Sequence, residues 1–305
     1  MELWGGNREI DTALSTQGLD VWVYSRPFAG EAAGEGTARD AGGDIYYLTS
    51  CATGRITRML LGDVSGHGET VAEAARSLKR LLGQHANYID QARFVSRVNR
   101  RFGDLGRVGR GLFATAIVAT YFSPTDELTL CSAGHPPAMR YSARARAWSV
   151  LAAPSAGGGP SNLPLGVLEA TPYAQSSIVL GEGDMVLLYT DALTEALAHD
   201  GRQLGVEGLA RTLGELDASA PEMFIPALLG RLAGEGGFGD DVSVMLVRRN
   251  ARKPRPSLPL AMLAGARIAR DTLTSPFRGA LPAWPELSVR ALGGAFFSGL
   301  NRSSD

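Results

Sequence analysis

Apolar positions in this chain fall into short runs at the two-residue period of strands, interrupted by stretches at helical spacing. The run at 19–24, Leu-Asp-Val-Trp-Val-Tyr, reads as a strand. Runs at 45–50 and 56–64 are two more, joined by the turn Ala52-Thr53-Gly54-Arg55. Val71, Ala74, Ala75, Leu78, Leu81 and Leu82 then recur at helical spacing, opposite Glu73, Arg76, Lys79 and Arg80. A second helix is predicted over 90–102, burying Phe94, Val95 and Val98, before a Gly- and Arg-rich loop at 103–111. Strands resume at 113–122 and 127–132 around Ser123-Pro124-Thr125-Asp126, a good turn. Further strands are predicted at 138–141, 148–151, 176–180 and 185–189, then short helices at 207–213 and 221–232 and a closing strand at 241–248. Strands and helices do not alternate one for one, which argues against a doubly wound parallel sheet. The pattern predicts an α+β fold: two mostly antiparallel sheets face to face, with helices outside.

Three regions follow from the same pass. Residues 1–18 read as a loose leader, 19–249 as the folded body, and 250–305 as a Pro- and Arg-rich tail, flexible or partner-docking. The tail carries a weak helical signal at 258–273. A Gly- and Ala-rich loop at 29–41 has little to bury and is expected to be mobile.

Composition narrows the class. The chain has 305 residues and a net charge of −1, so no overall field favours nucleic acid or an anionic membrane. The two cysteines, Cys51 and Cys131, lack metal-type spacing and fit a reducing compartment. The first residues lack the basic-then-apolar pattern of a signal peptide, and no apolar stretch approaches a membrane span. The expected location is cytoplasmic.

The candidate chemistry lies in four acidic turns: Gly42-Gly43-Asp44, Gly62-Asp63-Val64-Ser65-Gly66-His67-Gly68, Tyr189-Thr190-Asp191 and Gly239-Asp240-Asp241. Each aspartate sits at the end of an apolar run or in a glycine turn, where several carboxylates can be aimed at one point. Carboxylates so aimed repel one another unless a cation lies between them. An oxygen-only donor set selects hard cations such as Mg²⁺ or Mn²⁺, and two close together suit phosphate hydrolysis. Antiparallel pairing of the strands at 45–50 and 56–64 brings Asp44 and Asp63 together at their outer ends.

The order and spacing of these segments resemble the metal-dependent PPM (type 2C) protein phosphatases, most closely the bacterial SpoIIE/RsbU-like branch. Gly43-Asp44 with Tyr46-Tyr47, Gly62 to Gly68, Phe113-Ala114-Thr115-Ala116 and Ser132-Ala133-Gly134-His135-Pro136-Pro137 carry the resemblance. So do Leu163-Pro164-Leu165-Gly166, Gly183-Asp184 to Thr194-Glu195, and Asp240-Asp241-Val242-Ser243. It covers about residues 20–248.

The resemblance implies a four-layer α/β/β/α sandwich with two Mg²⁺ or Mn²⁺ ions at one edge. Asp63 would bridge the ions, Asp44 and the main-chain carbonyl of Val64 would hold one, and Asp191 and Asp240 the other. Water between the ions would attack phosphorus without a phosphoenzyme. It further implies a serine/threonine protein phosphatase in a bacterial partner-switching pathway. The substrate would be a phosphoprotein such as an anti-anti-sigma (STAS) protein. Control is left open between a separate regulatory partner, the tail, metal supply and expression.

Departures from the family pattern mark where the resemblance is tested. Ala192 stands where Gly is usual, and its methyl group would crowd the turn. Ser243 replaces Thr. Ser65 occupies the position two residues after the bridging aspartate, where type 2C phosphatases often carry a histidine proposed as a general acid. His67 is the displaced candidate for that role or a support of the metal loop. Asp241 is the less favoured alternative to Asp240. Arg26 is the candidate for a phosphate contact, and substrate-binding residues are otherwise unassigned. His135 is expected to brace the loop after its strand. These departures keep open a second reading, a weakly active or inactive phosphoprotein-binding regulatory module.

Overall fold

The computed structural model describes residues 2–28, 41–51, 54–66, 69–85, 90–106, 112–156, 159–198, 201–234 and 237–252. His67, most of the 29–41 loop and the tail beyond residue 252 lie outside the described residues. In chain order the elements are β1 (Glu2–Gly6), β2 (Ile10–Ser15), β3 (Leu19–Arg26), β4 (Asp44–Ser50), β5 (Ile56–Val64), α1 (Glu69–His85) and α2 (Gln91–Gly106). There follow β6 (Ala114–Phe122), β7 (Glu127–Ala133), β8 (Ala138–Ser142), β9 (Ala147–Leu151), β10 (Gln175–Val179) and β11 (Met185–Tyr189). The last are α3 (Ala192–Glu195), α4 (Gly205–Glu215), α5 (Pro221–Leu232) and β12 (Val242–Arg249).

Two six-stranded antiparallel sheets result, in the orders β1-β4-β5-β6-β7-β10 and β2-β3-β12-β11-β8-β9. Strand alternation sorts their side chains into three apolar layers. In β5, Leu60 and Val64 join the layer packed with Val71, Leu78, Phe94, Val98 and Phe102 of α1 and α2. The neighbouring Met59 and Leu61 face the other way, into a layer with Val21, Val23, Val186, Leu188, Met245 and Val247 of the second sheet. Met185, Leu187, Val244 and Leu246 form the third layer, against Leu209, Leu213, Phe224 and Leu228 of α4 and α5. This is the predicted four-layer α/β/β/α sandwich.

The structure differs from the sequence reading at three places. Residues 2–15, read as part of a leader, are β1 and β2, paired with β4 and β3. β2 buries only alternate positions and only partly, so its apolar signal is faint. The second helix continues past Phe102 to Gly106. The short α3 follows Asp191 directly and is too brief to show a periodicity.

Among the described residues, no helix is long and apolar enough to cross a membrane.

Candidate metal centre

At one end of the sandwich, the strand positions that carry the apolar residues between the sheets change to polar ones. Tyr46 and Leu48 of β4 lead back to Asp44, and Met59 and Leu61 of β5 lead on to Asp63. By the same two-residue step, Ile117 leads to Thr115, Val23 to Ser25, Met245 to Ser243 and Leu188 to Thr190. A polar tier thus closes the central core.

Asp44 and Asp63 are register partners across β4 and β5. Asp44 is buried, at 4% exposure. Thr190 Oγ1 donates to Asp44 Oδ2 at 3.0 Å. That hydroxyl also accepts the backbone N–H of Ser243 at 3.0 Å. The Ser243 hydroxyl also favours the ionised form of Asp44, and it lies 2.8 Å from the Ser25 hydroxyl. Burial above all, then the charges of Asp63 and Asp241, holds the Asp44 carboxyl well above the usual carboxylate range, against the two hydroxyls.

Asp63 is where the acidic segments meet. Burial raises its pKa to about 7, reinforced by Asp191, Asp240, Asp241 and Glu195. Beside it, Gly43 leaves a corner that no other residue could leave. A Cβ there would stand 2.9 Å from the Val64 carbonyl oxygen and 3.5 Å from Asp63 Oδ1. The bare backbone therefore lets a carbonyl and a carboxylate oxygen approach one small space. Asp191 caps the start of α3, and burial raises its carboxyl. Glu195 lies one helical turn on, its backbone N–H bonded to the Asp191 carbonyl. Burial, then Asp191 and Asp240, raises its carboxyl too. Among the described residues, no three His, Cys, Asp or Glu side chains stand close enough to close on a single ion.

The adjacent Asp240 and Asp241 do different things. Asp240 is exposed beside the cluster, one oxygen accepting the Asp241 backbone N–H at 2.7 Å. Asp241 turns inward: Oδ1 accepts Phe28 N–H at 2.6 Å, and Oδ2 accepts Gly43 N–H at 2.6 Å and Asp44 N–H at 3.3 Å. Its oxygens are engaged by backbone amides.

The sequence model for Stage II sporulation protein E (SpoIIE) matches residues 53–250. The chain belongs to the SpoIIE family. Phosphoserine phosphatase RsbU of Bacillus subtilis (strain 168) is 26% identical over 186 residues, 61% of this chain and 49% of RsbU. The match thus spans about half of that relative's length. The solved RsbU and RsbW domains of Rv1364c from Mycobacterium tuberculosis align with a TM-score of 0.63 at 26% identity, over 88% of this chain and 71% of that one. The PP2C phosphatase domain of SpoIIE from Bacillus subtilis aligns at 0.58 and 15% identity, over 79% and 65%. RsbX in complex with magnesium aligns at 0.57 and 16%, over 79% and 100%. Likeness at the last two identities is one of fold, and the fold is that of the PP2C phosphatases.

Within this SpoIIE-family chain the departures have physical outcomes. Ala192 is the first residue of α3, and its methyl packs in the layer with Leu193 and Leu209 rather than crowding a turn. Its φ is not positive, so nothing there requires glycine. Ser65 braces the loop after Asp63: its N–H donates to the Phe113 carbonyl at 3.0 Å and its Oγ accepts Phe113 N–H at 3.3 Å. His135 is a brace, 7% exposed, bonded through Nδ1 to Thr115 Oγ1 at 2.9 Å and through its backbone to Ser132. Burial lowers its pKa to about 3, which keeps the ring neutral. Thr115 is the register partner of Asp63, so this brace stands directly behind the cluster. Arg26 ends β3 opposite Val242, exposed, at the same end of the sandwich as the acidic turns.

Sequence reasoning gave no role to Glu195, Thr190 or Ser25. The signal for the last two was present: carrying the two-residue period past the last apolar residue of each strand reaches them.

Proposed function

We propose that this chain is a metal-dependent protein phosphatase that hydrolyses phosphoserine and phosphothreonine. The observation that carries this is the register pairing of Asp44 with Asp63, at the end of the sandwich where Asp191, Asp240 and Asp241 lie near enough to raise the Asp63 carboxyl. The donor chemistry suits hard cations, which would draw the carboxylates closer together than they stand. The donor set is all oxygen, partly buried and mutually repelling, and the Gly43 corner leaves the Val64 carbonyl accessible. Asp63 would bridge two Mg²⁺ or Mn²⁺ ions, with Asp44 and the Val64 carbonyl on one and Asp191 and Asp240 on the other. The relative named phosphoserine phosphatase RsbU and the neighbour solved with magnesium support this reading.

A pair of such ions, when bound, supplies an activated water and positive charge for the phosphoryl oxygens. The chain's own residues do the rest. Asp63 sets where the two halves of the site meet. Asp241 holds the backbone of Gly43 and Asp44 in place. Arg26, at the rim, is suited to orient a phosphate oxygen through its guanidinium. His67 remains a low-ranked candidate proton donor to the leaving hydroxyl. The substrate class is a phosphoprotein in bacterial signalling, an anti-anti-sigma (STAS) protein in particular, with a separate regulatory partner.

The test is turnover of an aryl phosphate and of phosphoserine peptides with Mn²⁺. Activity that EDTA abolishes and that Asp63→Asn and Asp191→Asn remove is the expected result. Metal binding without turnover on either substrate would instead favour a phosphoprotein-binding regulatory module.

A further inference from the structure

Thr190 precedes a proposed ligand of one ion and touches a proposed ligand of the other. Its side chain is fully buried, at 0% exposure, as is that of Ser243. A buried hydroxyl needs partners, and those of Thr190 are specific. Its Oγ1 accepts Ser243 N–H at 3.0 Å, which fixes the lone-pair side and leaves the proton to be donated. Two acceptors lie within reach, the Ser243 carbonyl at 3.4 Å and Asp44 Oδ2 at 3.0 Å. The shorter contact is the one to the carboxyl, and it becomes charge-assisted, and so the stronger, once Asp44 is ionised as a metal ligand would be.

One of the two cross-strand bonds here does not depend on this hydroxyl, because Thr190 N–H donates to the Ser243 carbonyl through the backbone at 3.0 Å. On the other side, the Ser243 hydroxyl favours the ionised form of the Asp44 carboxyl. The Ser25 hydroxyl, 1% exposed, lies 2.8 Å from Ser243 Oγ, and either of the two can donate. Three hydroxyls from three strands or strand ends thus gather on the protein side of Asp44, with Thr190 bonded to it directly.

We propose that Thr190, with Ser243 behind it, is a positioning residue for Asp44. It holds the inner carboxylate oxygen on a protein donor and turns the outer oxygen toward the metal space. Thr190 adjoins Asp191 in sequence, so the same residue fixes the spacing between the two halves of the centre. This rests on the metal reading above. Partners that orient metal ligands typically change metal affinity by about 10- to 100-fold when removed.

The experiment is Mn²⁺ binding to the full chain, followed by the electron paramagnetic resonance signal of free Mn²⁺, without any activity assay. Thr190→Val keeps the shape and removes the hydroxyl, and should weaken binding by about tenfold or more. Thr190→Ser restores the hydroxyl and should bind within about threefold of wild type. Ser243→Ala keeps the strand amide and the Thr190 contact, and should also weaken binding about tenfold. It carries the test if Thr190→Val does not fold. Wild-type affinity in a folded Thr190→Val, or in Ser243→Ala where that variant fails to fold, overturns this inference alone. Wild-type protein that takes up no Mn²⁺ overturns the metal reading and this inference with it.

Discussion

Asp241 Oδ2 accepts the backbone N–H of Gly43 at 2.6 Å, while Oδ1 of the same carboxylate accepts Phe28 N–H at 2.6 Å. One side chain therefore ties together the two chain ends that flank residues 29–40 and sets the backbone from which Asp44 projects. The approach requires glycine next door, because a Cβ at Gly42 would collide with the Asp241 carboxylate. Gly42→Ala is expected to cost about 1–3 kcal/mol, a fall in Tm of several degrees. Gly159→Ala is the control, since a Cβ there meets nothing within 4 Å, and it should leave Tm unchanged. Equal melting of Gly42→Ala and wild type would contradict the tie.

Asp63 makes a pH prediction with a definite sign. Its folded pKa is raised from 3.8 to about 7, by burial first and then by Asp191, Asp240, Asp241 and Glu195. The folded protein holds this proton more tightly than the unfolded chain does. The group's contribution to stability is therefore full below its unfolded pKa and is lost as pH rises through about 7. In EDTA, Asp63→Asn should gain in Tm on wild type from about pH 4 to about pH 7, and gain no more above that. Taking the difference cancels His135, whose depressed pKa gives the opposite slope. A difference in Tm that is constant across the window would contradict the electrostatic account.

Asn99 clamps α2 to the segment after Leu165. Its Nδ2 donates to the Leu168 carbonyl at 2.9 Å and the Glu169 carbonyl at 3.1 Å, and its Oδ1 accepts Gly166 N–H at 2.8 Å. The side chain is buried, so Asn99→Ala should cost about 1–3 kcal/mol. The local readout is hydrogen exchange: the Gly166 amide should exchange at least tenfold faster. Unchanged protection there would show that the clamp carries no load.

Arg26 offers a kinetic split. With phosphoserine peptides, Arg26→Ala should raise KM by about 5- to 30-fold, the loss expected for an exposed charge-assisted contact. Mn²⁺ affinity should not change. A fall in kcat with KM unchanged would assign Arg26 a different role.

The fold was legible wherever a strand had two buried faces or a helix had a wide apolar stripe. β4, β5, β11 and β12 are nearly continuous apolar runs, and α1 and α2 repeat at helical spacing. β2 was missed because an edge strand that half-buries alternate residues leaves little pattern in Ile-Asp-Thr-Ala-Leu-Ser. The meeting of Asp44 and Asp63 followed from hairpin geometry, and register pairs them as expected. The preference for Asp240 over Asp241 came from the family pattern, but what engages Asp241 was not legible. It depends on amides of Phe28, Gly43 and Asp44, brought near from almost two hundred residues away. The effect expected of Ala192 was misread, because its backbone joins a helix that the sequence does not announce.

The central claim is that Asp44, Asp63, Asp191 and Asp240 together hold two divalent cations. Crystals grown with Mn²⁺, with the ions located by their anomalous scattering, test it most directly. The account predicts two peaks about 3.5–4 Å apart, with Asp63 between them, Asp44 on one side and Asp191 and Asp240 on the other. Crystals with no peak at this end of the sandwich, or with Mn²⁺ bound only elsewhere, would contradict it.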